Sequence, residues 1–322
     1  MEPSSQIDDG KLVSALARGV QILRCFTADA PQLSARELIA ATGLPKPTFF
    51  RLVSTLCAAG LLRYGEATAT FMAAPGLLTL ASPLWARIHV RQLAFGQMQA
   101  LADRVRGQVT LALGAGLDLV FVELAQSREC ATFRPAMGAH ISLARTATGR
   151  AYLAALPGEE AGRYVAGARA ADAARGQWLD ERLHEARGDL RQRGFCVSRG
   201  DLHRELQAVA VPLRSATEGE IYVLTCTVPV FELAPGQLDG DIGPRLAALA
   251  RSAGAAMGHG PDNDPDWPQY SSVKAPQAII PAQAGIHAAQ PLPGDHQDPV
   301  DSLSFPRRRE LRGNDEIMGS CA

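Results

Sequence analysis

Apolar positions over the first sixty residues follow a helical period and then break it. Leu12, Leu16, Val20, Leu23 and Phe26 fall on one helical face, which predicts a first helix closed by Pro31. Ser34-Ala35-Arg36-Glu37 has the S-x-x-E form of a capping box, in which the serine accepts the Glu37 amide and Glu37 reaches back to Ser34. It opens a short helix with Leu38 and Ile39 inward, and Gly43 suits the left-handed position that ends one. Phe49, Leu52, Val53 and Leu56 stand at i, i+3, i+4 and i+7 and give a third helix one apolar face. Pro47 is tolerated in its first turn, where a missing N–H has no partner anyway, and Gly60 ends it. Leu61 to Tyr64, a turn at Gly65-Glu66, and Thr68 to Ala73 predict a hairpin. Two short helices on a tight turn, followed by a hairpin, outline a winged helix-turn-helix.

Beyond residue 90 the pattern mixes strands and helices. Val109–Gly114 and Asp118–Leu124 read as adjacent strands with Gly116 in the turn, and Gln207–Leu213 and Glu220–Val230 as two more. Ala147–Leu156, Asp180–Arg193 (Leu183 and Leu190 inward, then Gly194) and Arg245–Ala256 have helical spacing. The fold class is α+β. The expected organisation is a DNA-binding domain over 11–76 and a second domain over 90–258, joined through residues 77–89. In 259–322 periodicity disappears, nine prolines accumulate and nine acids face five basic residues. Such a segment buries too little apolar surface to offset its ordering entropy, so a disordered tail is expected.

Composition sharpens this picture. The 322 residues, 47% apolar, suffice for two cored domains at ~100–200 residues each. A net charge of −1 excludes a chain that coats polyanions along its length, so any nucleic-acid surface must be local. Residues 11–63 supply one, with seven Lys/Arg against two acids. The six cysteines, at 25, 57, 130, 196, 226 and 321, form no C-x-x-C pair, and the histidines no metal motif, so no metal and no cofactor are expected. The polar start MEPSSQIDDGK is no secretory leader, and no run reaches the ~18 apolar residues of a membrane span. A cytoplasmic protein without a membrane partner is expected.

A recognition helix carries its polar side chains toward the end that enters the major groove. Lys46, Thr48 and Arg51 meet that demand, with Ser54 and Thr55 further along the same side and Ser34 and Arg36 on the preceding helix. Arginine takes guanine O6 and N7 bidentately, and threonine reaches a base edge or phosphate. Phe50, at the edge of the apolar face, either touches a thymine methyl or packs under the hairpin. The expected partner is double-stranded operator DNA. One short helix reads too few base pairs to be selective, so a homodimer or homotetramer is expected.

The stretch ATGLPKPT, followed by RLVSTL and AGLL, closely resembles the winged helix-turn-helix of IclR-family transcriptional regulators, and ALARGVQILRCF resembles the family's first helix. The resemblance continues through a linker helix over 77–89 and runs to about Gly258, some four-fifths of the chain. The wing departs from it: GEATATFMAAPG carries Glu66 as its one charge where family members have a basic wing. The resemblance implies a GAF-like C-terminal domain that binds a small organic acid. It implies a ligand-responsive regulator, repressor or activator, of a catabolic operon. The family's T-A-x-G-K-A motif is matched by Thr146-Ala147-Thr148-Gly149-Arg150-Ala151, which implies that the amides of Ala147 and Thr148 meet the ligand's anionic group. The family's pair of small polar strand residues maps onto Thr225 and Thr227, on one face at period two. Strand propensity explains the same pair without a ligand. Ser198, after Arg193-Gly194-Phe195, takes the place of an acid; Ala208 stands for a cysteine and Ala144 for a histidine. These changes imply a less polar site and a larger, aromatic acid.

A rival of a different class, a small-molecule-converting enzyme with its site in the second domain, lacks a recognisable nucleophile, metal or phosphate-loop constellation. Cys226, on the strand face opposite the threonines, reads as a core thiol. In the tail, AIIPAQAGIH and FPRRRELRGNDE resemble translated intergenic repeats, so a read-through extension is expected in preference to a DNA-binding arm at Arg307-Arg308-Arg309.

Overall fold

The capping box sets where the second helix begins in the structure, a computed structural model that describes residues 13–130, 134–215 and 219–257. Ser34 Oγ accepts from the Glu37 amide at 3.3 Å, and Glu37 Oε2 takes the Ser34 amide at 2.8 Å. The helices are α1 (Ser14–Leu23), α2 (Ala35–Thr42) and α3 (Lys46–Ala58). Gly43 ends α2 at φ 68°, a conformation that would strain a residue with a Cβ. Phe49 and Val53 of α3 bury with Ile22, Leu38, Leu44, Leu62 and Phe71 into one small core.

A short sheet closes this region. β1 (Gln32–Ser34), β2 (Leu62–Gly65) and β3 (Thr70–Ala73) pair antiparallel in the order β1-β3-β2. The hairpin stands where the pattern predicts it; β1, only three residues long, is too short for alternation to announce it. The first helix differs from expectation. Its buried positions are Gly19 and Ile22, whereas Leu16 is 69% and Val20 41% exposed. Apolar residues occupy two sides of α1, and the core takes the side carrying Ile22. The stripe Val13, Leu16 and Val20 stays exposed among the described residues.

α4 (Gly76–Arg87) follows, and none of its residues is buried. α5 (His89–Val105) then packs on a five-stranded antiparallel sheet. Its strands are β4 (Gln108–Ala115), β5 (Asp118–Gln126), β6 (Cys196–Arg199), β7 (Leu206–Arg214) and β8 (Ile221–Pro229), in the order β5-β4-β8-β7-β6. Gly116 turns the first hairpin at φ 59°. One face, with Val109, Leu111, Val209, Val211, Leu224 and Cys226, packs on α5 and α9 (Gly243–Ala256). The other, with Ala112, Ala210 and Val223, packs against α6 (Ala147–Ala155), α7 (Gly158–Ala171) and α8 (Ala173–Arg193). Cys226 therefore lies in the core opposite the threonine face. β6 and α7 have no counterpart in the sequence reading, and α8 starts a full two turns before the expected Asp180. The expected tail, 259–322, lies outside the described residues.

Candidate functional site

Strand register gathers the polar residues of the second domain at one end of the sheet. Across the face that α6 covers, one row runs Gln126, Gln108, Thr227, Ala208 and Ser198, from β5 to β6. The next runs Leu124, Thr110, Thr225, Ala210 and Cys196. Beyond it the face becomes Ala112 and Val223, purely apolar. Gln108, Thr110, Ser198 and Thr225 are buried, and Thr227 is half-buried. Burying so many hydroxyl and amide groups side by side costs free energy unless they are hydrogen-bonded.

α6 begins over these rows. Thr146 is its N-cap, its hydroxyl accepting from the Gly149 amide at 2.8 Å. The amides of Ala147 and Thr148 belong to the first turn and have no intrahelical acceptor. The Thr148 hydroxyl lies 2.8 Å from that of Thr225, so the expected helix start and the expected strand pair meet in one place. Gly149 lets α6 lie close to the 142–143 segment that leads into it, because a Cβ there would lie 2.3 Å from the Ser142 carbonyl oxygen. Small alanines at 208 and 210 keep the middle of the face low. The arrangement can hold a small ligand with an anionic group at the helix N-terminus and hydroxyls alongside.

Two features escape the sequence reading. Arg150 is only 1% exposed, yet its guanidinium donates to Asp201 at 2.7 Å, to the Ala144 carbonyl at 3.2 Å and to the Val197 carbonyl at 3.3 Å. Ser198 donates to the same Asp201 carboxylate at 2.8 Å, so its hydroxyl proton is already committed. A carboxylate thus reaches Ser198 from a turn three residues later. Gln108 is the second feature. Its Oε1 is buried without a hydrogen-bond partner among the described residues. Alternation in Gln108-Val109-Thr110-Leu111-Ala112 was the available signal for it.

The thiols nearby are inert. Burial pushes the Cys196 thiol up to about 12 and raises that of Cys226 well above its ordinary value, so neither is a thiolate near neutrality. Among the described residues no three His, Cys, Asp or Glu side chains are grouped to hold a metal, and no helix is long and apolar enough to cross a membrane.

In the N-terminal domain Lys46, Phe50, Arg51, Ser54 and Thr55 are exposed along α3, Thr48 is half-buried, and Arg36 is exposed on α2. Phe50 is 52% exposed and meets Phe49 edge-on at 5.3 Å, so it does not lie under the hairpin. The Ser34 hydroxyl is engaged with Glu37, and that of Thr55 donates to the Arg51 carbonyl at 2.9 Å. Lys46, Arg51 and Ser54 therefore present side chains free of such local bonds.

Family models decide the assignment. The model of the IclR helix-turn-helix domain matches residues 15–66, and that of the C-terminal domain of IclR bacterial transcriptional regulators matches residues 84–253. The chain belongs to the IclR family. An IclR-family regulator of Brucella abortus has a solved structure 34% identical to it, covering 79% of this chain and 96% of that one, with a TM-score of 0.69. The HTH-type transcriptional regulator TsaQ1/TsaQ2 of Comamonas testosteroni is 28% identical over 250 residues, 76% of this chain and 89% of that protein. An IclR homologue of Microbacterium hydrocarbonoxydans, solved in complex with 4-hydroxybenzoate, shares the fold at 20% identity and a TM-score of 0.60, covering 75% of this chain and 99% of that one. This IclR-family protein is accordingly a DNA-binding transcriptional regulator with a C-terminal α+β effector domain.

Proposed function

We propose that this regulator is a homodimer or homotetramer that binds a palindromic operator through α3 and changes its hold on DNA when a small organic acid binds at the start of α6. Lys46, Thr48, Phe50, Arg51, Ser54 and Thr55 face the major groove, with Ser34 and Arg36 at the backbone beside it. The acid's carboxylate meets the Ala147 and Thr148 amides between Thr146 and Gly149, and Thr225, Thr227 and Ser198 line the remainder. The observation that carries this reading is the 2.8 Å contact between Thr148 and Thr225, which joins the helix start to the polar end of the sheet. Three further points support it. The alanines at 144 and 208 are smaller than the histidine and cysteine they stand for, which suits a larger, aromatic acid, and a relative of the same fold is solved in complex with 4-hydroxybenzoate. The apolar stripe of α1 and the unburied Leu78, Leu80 and Leu84 of α4 suit contact with a second copy of the chain. The ligand is bound and not consumed. Fluorescence anisotropy of a labelled operator, titrated with aromatic and aliphatic acids, tests the proposal. One acid should shift operator affinity and be recovered chemically unchanged. Conversion of that acid by the purified protein would instead establish an enzyme.

A further inference from the structure

Gln108 is 7% exposed, and its Oε1 has no hydrogen-bond partner among the described residues. Even-numbered residues of β4 point to the α6 side of the sheet, as the burial of Ala112 there and of Val109 and Leu111 on the opposite side requires. Gln108 therefore stands on the face that carries Thr225 and Thr227, paired directly with Thr227. A buried carboxamide oxygen left unpaired is costly, and such an atom persists where something else satisfies it. The Thr148–Thr225 contact lies in the row of Thr110, and Gln108 lies one row further toward the sheet's end. Two residues at ~3.4 Å each place it about 7 Å along the strand from that contact, close to the length of a benzene ring with a substituent at each end.

We propose that Gln108 forms the far end of the effector site and selects an aromatic acid that carries a hydroxyl opposite its carboxylate. This rests on the placement of the effector at the start of α6 argued above. The carboxylate sits at the Ala147 and Thr148 amides, the ring crosses the low ground beside Thr225, and the hydroxyl donates to Gln108 Oε1. An acid ending in a methyl group fills the same space and leaves Oε1 unpaired.

Isothermal titration of the full chain with 4-hydroxybenzoate and with 4-methylbenzoate, equal in length and lacking the donor, tests this. The wild type should prefer the hydroxyl compound roughly two- to tenfold, the range of one net hydrogen bond. Gln108→Met should abolish that preference while 4-methylbenzoate binds as well as before or better. Its melting temperature without ligand should rise, because an unpaired buried amide oxygen has been removed in favour of an apolar chain. Equal affinity of the wild type for the two acids, or binding of neither at millimolar concentration, overturns the proposal without any variant. A preference that survives in Gln108→Met overturns it as well, and the effector site itself then stands if Thr225→Val/Thr227→Val weakens both acids. Unchanged binding of both acids to that double variant would instead displace the effector site, and this inference with it.

Discussion

Gly149→Ala probes the close approach between α6, at whose start the effector is proposed to bind, and the 142–143 segment. A Cβ at 149 would lie 2.3 Å from the Ser142 carbonyl oxygen, 2.4 Å from Leu143 Cα and 2.5 Å from the Leu143 carbonyl oxygen. All three are backbone atoms, so no flexible side chain can swing aside. Either α6 or the 142–143 segment must retreat by about an ångström to restore ordinary contact. Overpacking of this kind costs ~1–3 kcal/mol, and the rigidity of the neighbours argues for the upper end. Alanine returns up to ~1 kcal/mol through its greater helix propensity. A net loss of about 2 kcal/mol follows, a fall in melting temperature of ~4–8 °C for a chain of this size. Gly162→Ala supplies the control. That glycine is exposed in α7 with nothing within 4 Å of its Cβ position, so the same change should stabilise by ~0.5–1 kcal/mol. Scanning calorimetry on both variants decides. A Gly149→Ala protein that melts at or above the wild type would refute the close packing of α6 on the 142–143 segment.

Three further outcomes are expected. Asp201→Asn removes the carboxylate beside Arg150, whose side chain is 2% exposed; because Asp201 itself is 20% exposed, a loss of ~2–4 kcal/mol is expected in urea unfolding, and Arg150→Met/Asp201→Asn should recover part of it. Arg51→Ala should weaken operator binding by ~1–3 kcal/mol while leaving a random duplex nearly unaffected in a gel shift, and equal losses on both would make Arg51 a phosphate contact. Burial alone would raise the Asp239 carboxyl, but hydrogen bonds from Arg199 and Arg193 hold it below the usual carboxylate range. A depressed folded value gives stability that is present above the unfolded value and lost as pH falls toward the folded one. Acid titration of stability should therefore be flatter in Asp239→Asn below the ordinary aspartate range, and identical acid limbs would contradict that coupling.

Local stereochemistry made the N-terminal domain legible from sequence: a capping box, a left-handed Gly43 and an i, i+3, i+4, i+7 stripe each act within a few residues. α1 was misread because its apolar residues lie on two sides, and only the tertiary core decides which side is buried. β1 and β6, of three and four residues, are too short for alternation to show, and the pairing of β1 is set by a partner far along the chain. The site divides in the same way. Thr225 and Thr227 share a face by strand geometry alone, and the T-A-x-G motif marks the start of α6. Gln108 and Thr110 alternate visibly, but assigning their face requires knowing which side α6 covers. Asp201 was hidden because it reaches Arg150 from a turn, where no periodicity links it to the helix it braces.

The most direct test of the account measures whether the polar end of the sheet controls DNA binding. Operator affinity is determined by anisotropy with and without a saturating organic acid, for the wild type and for Thr225→Val/Thr227→Val. A ligand shifts the DNA-binding equilibrium only by its differential affinity for the two conformations, a coupling typically of ~1–3 kcal/mol. The wild type should show that shift, roughly fivefold or more. The double variant, in which valine preserves strand propensity, should keep its ligand-free operator affinity and lose the shift. An equal shift in both proteins, at equal acid affinity, would contradict the placement of the effector between α6 and β8.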